Sequence, residues 1–216
     1  MIGEKIYKVA EIPNSTLFIT GKGDNALWNK AELLTDFNSP WDNKKINTIE
    51  FRALHNSDYL YVYFKVFDSN IYIDSERNEV ENMANSDRVE LFFKIDNKLS
   101  PYYCLEIDPT PRILDFKANF YRNFDYHWNW PKDEILVKSS VENEGFIVEI
   151  ALSKASLLNL GLLNNNIIQT GIYRAKYNHT NKGVMKPTWI SWVDPNTEEP
   201  DFHIASSFGV LELLSK

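Results

Sequence analysis

Alternation of apolar and polar residues with a period of two runs through most of this 216-residue chain and restricts its fold more than any other feature. Successive side chains of a strand point to opposite faces, so alternation marks a sheet covered on one side. In "DYLYVYFKVFD", Leu60, Val62, Phe64 and Val66 share one face, with Tyr59, Tyr61, Tyr63 and Lys65 on the other. "DRVELFFKI" repeats the pattern, with Val89, Leu91, Phe93 and Ile95 inward and Arg88, Glu90, Phe92 and Lys94 outward. In "YYCLEI" and "FIVEIAL" the inward sets are Tyr103, Leu105, Ile107 and Phe146, Val148, Ile150, Leu152. Weaker strand signals are "TLFIT", "NTIEFRAL", "ILDFKANFY", "EILVKSSV", "IIQTGIYRAKY", "TWISWV" and "FGVLEL". Helix signals are few: "NKAELL" near Trp28, and "SKASLLNLGL", where Ser153 is suited to cap a short helix. There is no βαβ rhythm, no composition break and no internal repeat. The pattern predicts an all-β fold: a single antiparallel β-sandwich of about ten strands with one or two short helices, one domain over residues 1–216.

Charge narrows the partners. Lys+Arg 23 against Asp+Glu 30 gives a net charge of −7, which repels a phosphate backbone and argues against nucleic acid. No basic run suits an anionic membrane, and no stretch approaches the ~18 apolar residues of a membrane span, so no membrane insertion is expected. Cys104 is the only cysteine, which excludes an intrachain disulfide and a thiolate metal cluster. The opening "MIGEKIYKVAEIPNSTLFIT" has no apolar signal core, and the compartment stays open: secreted or periplasmic if a leader has been removed, otherwise cytoplasmic. The pattern is silent on oligomeric state.

Candidate chemistry is sparse. Histidines 55, 127, 179 and 203 are scattered without ligand spacing, and Cys104 reads as a small strand residue. Glu90 and Glu106 both alternate away from the apolar set, so they can share one face. Such a pair serves as a glycosidase acid and base, binds sugar hydroxyls, or sits in a solvated face with Arg88 and Lys94. The loop "DSNIYIDSERNE" offers Asp68, Asn70, Asp74, Glu76 and Glu79 as oxygen ligands, although Ile73 stands where an EF-hand needs Gly. In "FDYHWNWP", Trp128 and Trp130 are two apart in a turn-rich stretch. In an extended loop both rings point the same way, toward a flat ligand, or else they plug the end of the sandwich. Trp41 is a similar loop ring, whereas Trp28, Trp189 and Trp192 read as core.

Several stretches together resemble the family 9 carbohydrate-binding modules, sugar-binding β-sandwiches found attached to xylanases. They are "LWNKA", "YLYVYFKVFD", "SDRVELFF", "GFIVEIAL", "WISWVDP" and "DFHIASSFGVLEL", in order over about residues 25–213. The resemblance implies a non-catalytic module that binds mono-, oligo- or polysaccharide, xylan under breakdown included, needs no cofactor and holds calcium as a structural ion. Asp68, Asn70 and Asp74 are the calcium candidates. Family members sandwich a sugar between two tryptophans. Glu90 falls on a family hydroxyl-binding glutamate, Glu106 near a binding asparagine, and Phe202 near one clamp position. At the other clamp position this chain has Ala84. The expected ligand set is therefore Glu90, Glu106, Trp128, Trp130 and Phe202. The alternatives are a glycoside hydrolase using Glu90 and Glu106, and a β-sandwich whose aromatics meet another protein.

Overall fold

The computed structural model describes residues 4–13, 16–42, 45–75, 83–179 and 184–215. In chain order its strands are β1 (Ile6–Glu11), β2 (Ile49–His55), β3 (Tyr59–Phe67), β4 (Arg88–Lys94), β5 (Tyr102–Ile107), β6 (Ile113–Asn119) and β7 (Asn123–Asp125). There follow β8 (Ile135–Glu142), β9 (Gly145–Ser153), β10 (Leu163–Asn164), β11 (Ile167–His179), β12 (Met185–Ser191) and β13 (Gly209–Leu213). The helix α1 (Lys154–Asn159) follows β9, and Ser153 caps it by accepting the Ser156 N–H at 3.0 Å.

All thirteen strands belong to one hydrogen-bonded sheet of order β7-β6-β5-β4-β11-β13-β1-β2-β3-β9-β8, with β10 and β12 also paired to β11. The sheet curls, and β1 is its fold line. Ile6 to Val9 pair with β13 while Ala10 and Glu11 pair with β2. The first half, β7 to β13, thus faces the second half, β2 to β8, across a sandwich-like core. Val89, Leu91, Phe93 and Leu105 from the first half meet Val62, Phe64, Val148 and Ile150 from the second. Each such side chain contributes roughly 1.5–3 kcal/mol by leaving water.

The all-β expectation stands, with two refinements. There are thirteen described strands rather than about ten, the additions being β1, β7 and β10. The sheet is mixed rather than antiparallel, because β1 runs parallel to both its neighbours. Period two tells which face a residue takes, and it is the same for parallel and antiparallel pairing, so it does not reveal the neighbour.

"TLFIT" is not a strand. It belongs to a loop that lies over the outer face of the second half, where Ile12, Leu17, Ile19 and Trp28 cover Leu54, Tyr61, Ile147 and Ala151. Trp28 sits on a short 3-10 turn, Ala26–Lys30, opened by Asn25, whose side chain accepts the Leu27 N–H at 3.0 Å. The outer face of the first half is covered differently, and only in part.

A half-covered outer face with two buried carboxylates

Outward residues of five strands, β4, β5, β6, β11 and β12, build this face. Register places Glu90 of β4 directly opposite Glu106 of β5 on one side and Tyr173 of β11 on the other. Arg88 is opposite Ala175, which in turn faces Trp189 of β12. Phe92, Tyr102, Cys104 and Phe116 join in an apolar cluster beside them. The segment 200–203 folds over one side. Phe202 stacks on Tyr173 at 4.0 Å between ring centroids and 10° between planes, with Trp41 at 5.4 Å and Trp189 edge-on at 5.8 Å. His203 is tied by its Nδ1 to the Tyr102 hydroxyl at 2.9 Å and lies 5.2 Å from the Phe92 ring. What stays open is a cleft of about 110 Å³. Glu90, Glu106 and Arg88 form its floor, Trp189 and Phe202 its walls, and Arg122 and Asp201 part of its rim.

The floor is electrostatically unbalanced. Arg88 Nε lies 2.9 Å from Glu90 Oε1 and 2.6 Å from Glu106 Oε2. These are ion-pair distances, and the three buried atoms have only one another as polar partners. Arg88 also donates to the Ala84 carbonyl at 2.7 Å, and its guanidinium lies 5.6 Å over the Trp189 ring. Glu90 and Glu106 are only 2% and 7% exposed, so two carboxylates compete for one guanidinium away from water. Burial raises both, only partly countered by Arg88, and the charge of Glu106 raises Glu90 further, to about 8. At neutral pH the pair therefore keeps a proton. Burial and the two glutamates push the Cys104 thiol far up, which leaves it inert. Burial, then Arg122, lowers His203 to about 4, so its imidazole is neutral. A carboxylic acid beside a carboxylate and a guanidinium offers donors and an acceptor to neighbouring hydroxyls, and the half-buried Trp189 offers a ring.

Of the expected ligand residues, the structure brings Glu90, Glu106 and Phe202 together on this cleft. Trp128 and Trp130 are on the opposite side of the sheet. Trp130 is 4% exposed in the main core, 5.8 Å from Phe93, with Nε1 donating to Ser156 Oγ at 3.1 Å. Trp128 is half-buried, 4.9 Å from the inward Tyr103. These two rings plug the sandwich and do not form the flat surface that their spacing suggested. The reason is a turn. Asp125 accepts the His127 N–H on its side chain at 3.1 Å, and its carbonyl takes the Trp128 N–H at 3.4 Å. Phe124 and Tyr126, before or in the turn, stay against Phe116 on the outer face. After it the same spacing of two points inward, where Asp115 takes the Trp130 N–H.

Sequence reasoning placed Trp189 in the core with Trp192. Only Trp192 is there. The signal was available: in "TWISW", Trp189 and Ser191 alternate with Ile190 and Trp192, and the strand turns the two tryptophans to opposite faces. Arg88 was named only as an ion-pair partner in a solvated face and His203 only as one of the scattered histidines, while Arg122 and Asp201 were not singled out. Three of them come from segments that only the tertiary fold carries to Glu90.

The calcium candidates are arranged against a cation. The Asp68 carboxylate is held by Arg174 at 2.5 Å and Lys176 at 3.2 Å, and Lys176 also donates to the Asn70 carbonyl. Burial raises Asp68, and the Arg174 charge and hydrogen bond outweigh it, so the net effect holds this carboxyl below its usual range. Asp74 meets this region through its N–H, which donates to Ser86 Oγ at 2.8 Å. As they stand, these three residues do not fit a calcium ion. Among the described residues no three His, Cys, Asp or Glu side chains gather as a ligand set, and Glu76 and Glu79 lie outside those residues.

Residues 19–216 match the profile of the family described as "Carbohydrate family 9 binding domain-like". No curated protein matches the chain. Three solved structures share its fold. One, described as a candidate carbohydrate-binding protein from Bacteroides uniformis, superposes with a TM-score of 0.74 at 16% identity, over 98% of this chain and 100% of that one. A family 9 carbohydrate-binding module from Caldicellulosiruptor kristjanssonii in complex with cellotriose gives 0.62 at 16% identity, covering 98% and 95%. A family 9 module from the same organism in complex with glucose gives 0.59 at 17% identity, covering 98% and 97%.

Proposed function

The chain belongs to the carbohydrate family 9 binding domain-like family, and from that premise we propose that it binds carbohydrate, without hydrolysing it, in the cleft over Glu90 and Glu106. One observation carries the reading: two carboxyl groups and the guanidinium between them, held together at 2.6–2.9 Å, line a cleft walled by Trp189 and Phe202. Buried polar groups short of their full set of hydrogen bonds are costly to a fold, by about 1–3 kcal/mol each. A ligand hydroxyl that pairs with them recovers that energy, while a ligand lacking the hydroxyl does not. Selectivity for a polyol follows from the same cost. Trp189 and Phe202 supply apolar contact to the CH groups of a sugar ring. In structures of similar fold from Caldicellulosiruptor kristjanssonii, cellotriose and glucose are the bound molecules. They support a sugar as the ligand class.

The carboxyls favour binding over hydrolysis by their placement. A glycosidase pair flanks the scissile bond from two sides. Glu90 and Glu106 stand side by side on adjacent strands and share Arg88 at the floor of a small cleft. The test is calorimetry and a glycan array on the wild type and on Glu90→Gln. At least one sugar is expected to bind, with affinity falling at least tenfold in the variant. Unchanged binding in Glu90→Gln would move the site elsewhere, and release of reducing sugar that both Glu90→Gln and Glu106→Gln abolish would make the protein a hydrolase.

A further inference from the structure

At about 110 Å³ the cleft is well below the ~300–1,000 Å³ of a typical ligand pocket, and it accommodates part of one sugar rather than a chain. Three large rings stand exposed beyond its rim. Phe120, Tyr121 and Tyr126 are 59%, 52% and 55% exposed, all on the β6–β7 hairpin or the turn after it. A cluster of exposed aromatics marks a contact surface more often than a solvated one.

Two of these rings are fixed relative to the cleft. Tyr126 rests on the outer face, 5.0 Å from Phe116 and 5.7 Å from Phe124, and its phenol lies within reach of the charges of Glu106 and Arg88. The Tyr121 hydroxyl donates to Asp201 Oδ2 at 2.8 Å. Arg122 holds the other oxygen of Asp201 at 3.0 Å and places its guanidinium 5.3 Å over the Tyr121 ring. Asp201 and Arg122 both line the cleft, so the hairpin tip is fastened to its rim. The fold thus holds two exposed tyrosines rigidly beside a site that is too small for more than one sugar.

We propose that Tyr126 and Tyr121, on this chain's own hairpin, form a second sugar subsite beside the cleft, which holds the sugar unit next to the one in the cleft. This rests on the cleft being the sugar site. The terminal residue hydrogen-bonds Glu90, Glu106 and Arg88, and the next one stacks on an exposed tyrosine face while its hydroxyls meet Arg122 and the phenols. The rings are held in place before binding, so little side-chain freedom is lost when a sugar arrives.

The experiment is calorimetry with glucose, cellobiose and cellotriose, together with mono- and trisaccharides of the other common hexoses and pentoses, on wild type, Tyr126→Ala, Tyr126→Phe and Glu90→Gln. For the wild type the trisaccharide of the recognised sugar is expected to bind roughly tenfold more tightly than its monosaccharide, the order of one aromatic stacking contact. Tyr126→Ala removes that gain and leaves the monosaccharide affinity unchanged. Tyr126→Phe retains most of it, which excludes a folding defect as the cause. Equal affinity for mono- and trisaccharide, or a length gain that survives in Tyr126→Ala, overturns the second subsite alone. Binding that Glu90→Gln does not weaken, or no binding by any sugar, overturns the cleft reading and the subsite with it.

Discussion

The two outer faces of the curled sheet start from the same sequence pattern and end differently. On the second half, Ile12 and residues 16–31 close over the tyrosines of β3, and a glutamate lies beneath them. Glu149 is fully buried, yet it accepts three N–H groups: Trp28 Nε1 at 2.6 Å, Thr20 at 2.9 Å and Gly21 at 2.5 Å. Gly21 has φ +84°, and a Cβ on it would lie 2.7 Å from the Ser139 backbone nitrogen, so only glycine brings that N–H in. On the first half, the cover stops short. Glu90 and Glu106 are as buried as Glu149, but they share one guanidinium and have oxygens without a hydrogen bond. Burial alone therefore does not separate a structural carboxylate from a binding one. Satisfaction differs between them: the fold completes the shell of Glu149 and leaves that of the other two incomplete, where the proposed site puts a sugar.

Mutations at matched positions sharpen this contrast, and the largest effect is expected at Glu149. Glu149→Gln loses the charge and turns an amide N–H₂ toward donors that need an acceptor, so stability is expected to fall by about 3–5 kcal/mol, read by urea unfolding. A loss below about 1 kcal/mol would mean that the loop is held by its apolar contacts alone.

A smaller effect is expected from the paired tryptophans. Trp28→Ala removes a buried ring and should lower stability by about 3 kcal/mol without altering sugar affinity. Trp189→Ala, on the open face, should change stability by less than about 1 kcal/mol and weaken binding. The comparison breaks if Trp189→Ala unfolds the protein as readily as Trp28→Ala does.

The last contrast is a pH dependence. The folded-state pKa of Glu90 is raised from 4.5 to about 8, so between these values the native state holds a proton that the unfolded chain has released. Stability from this group is complete below about pH 4.5 and is lost as pH rises through 8. Glu90→Gln carries no such proton, and its stability relative to wild type is expected to improve from pH 5 to pH 9 in thermal unfolding. A constant difference across that range would show that Glu90 is ionised throughout.

Much of the fold was legible in the residues. The alternation in β3, β4, β5 and β9 assigned each side chain to the correct face, because a strand's side-chain period is set by the backbone and not by its neighbours. That placed Glu90 and Glu106 outward together, and motif order placed Phe202 beside them. Ser153 announced its helix for a similarly local reason. In "FDYHWNWP" the spacing of two does keep Trp128 and Trp130 on one side, but the turn at Asp125 makes that the inner side, which the spacing does not reveal.

What the tertiary structure alone decided depends on contacts between distant segments. The parallel pairing of β1, the Arg174 and Lys176 side chains that occupy Asp68, and the convergence of Arg122, Asp201 and His203 on Glu90 join residues far apart in the chain, 204 positions for Ile6 and Val210. Side-chain periodicity is a property of one strand, so sequence determined which residues face outward. Whether an outward carboxylate finds three N–H groups or half of one guanidinium depends on which loop the curled sheet brings over it, and that lies beyond any local pattern.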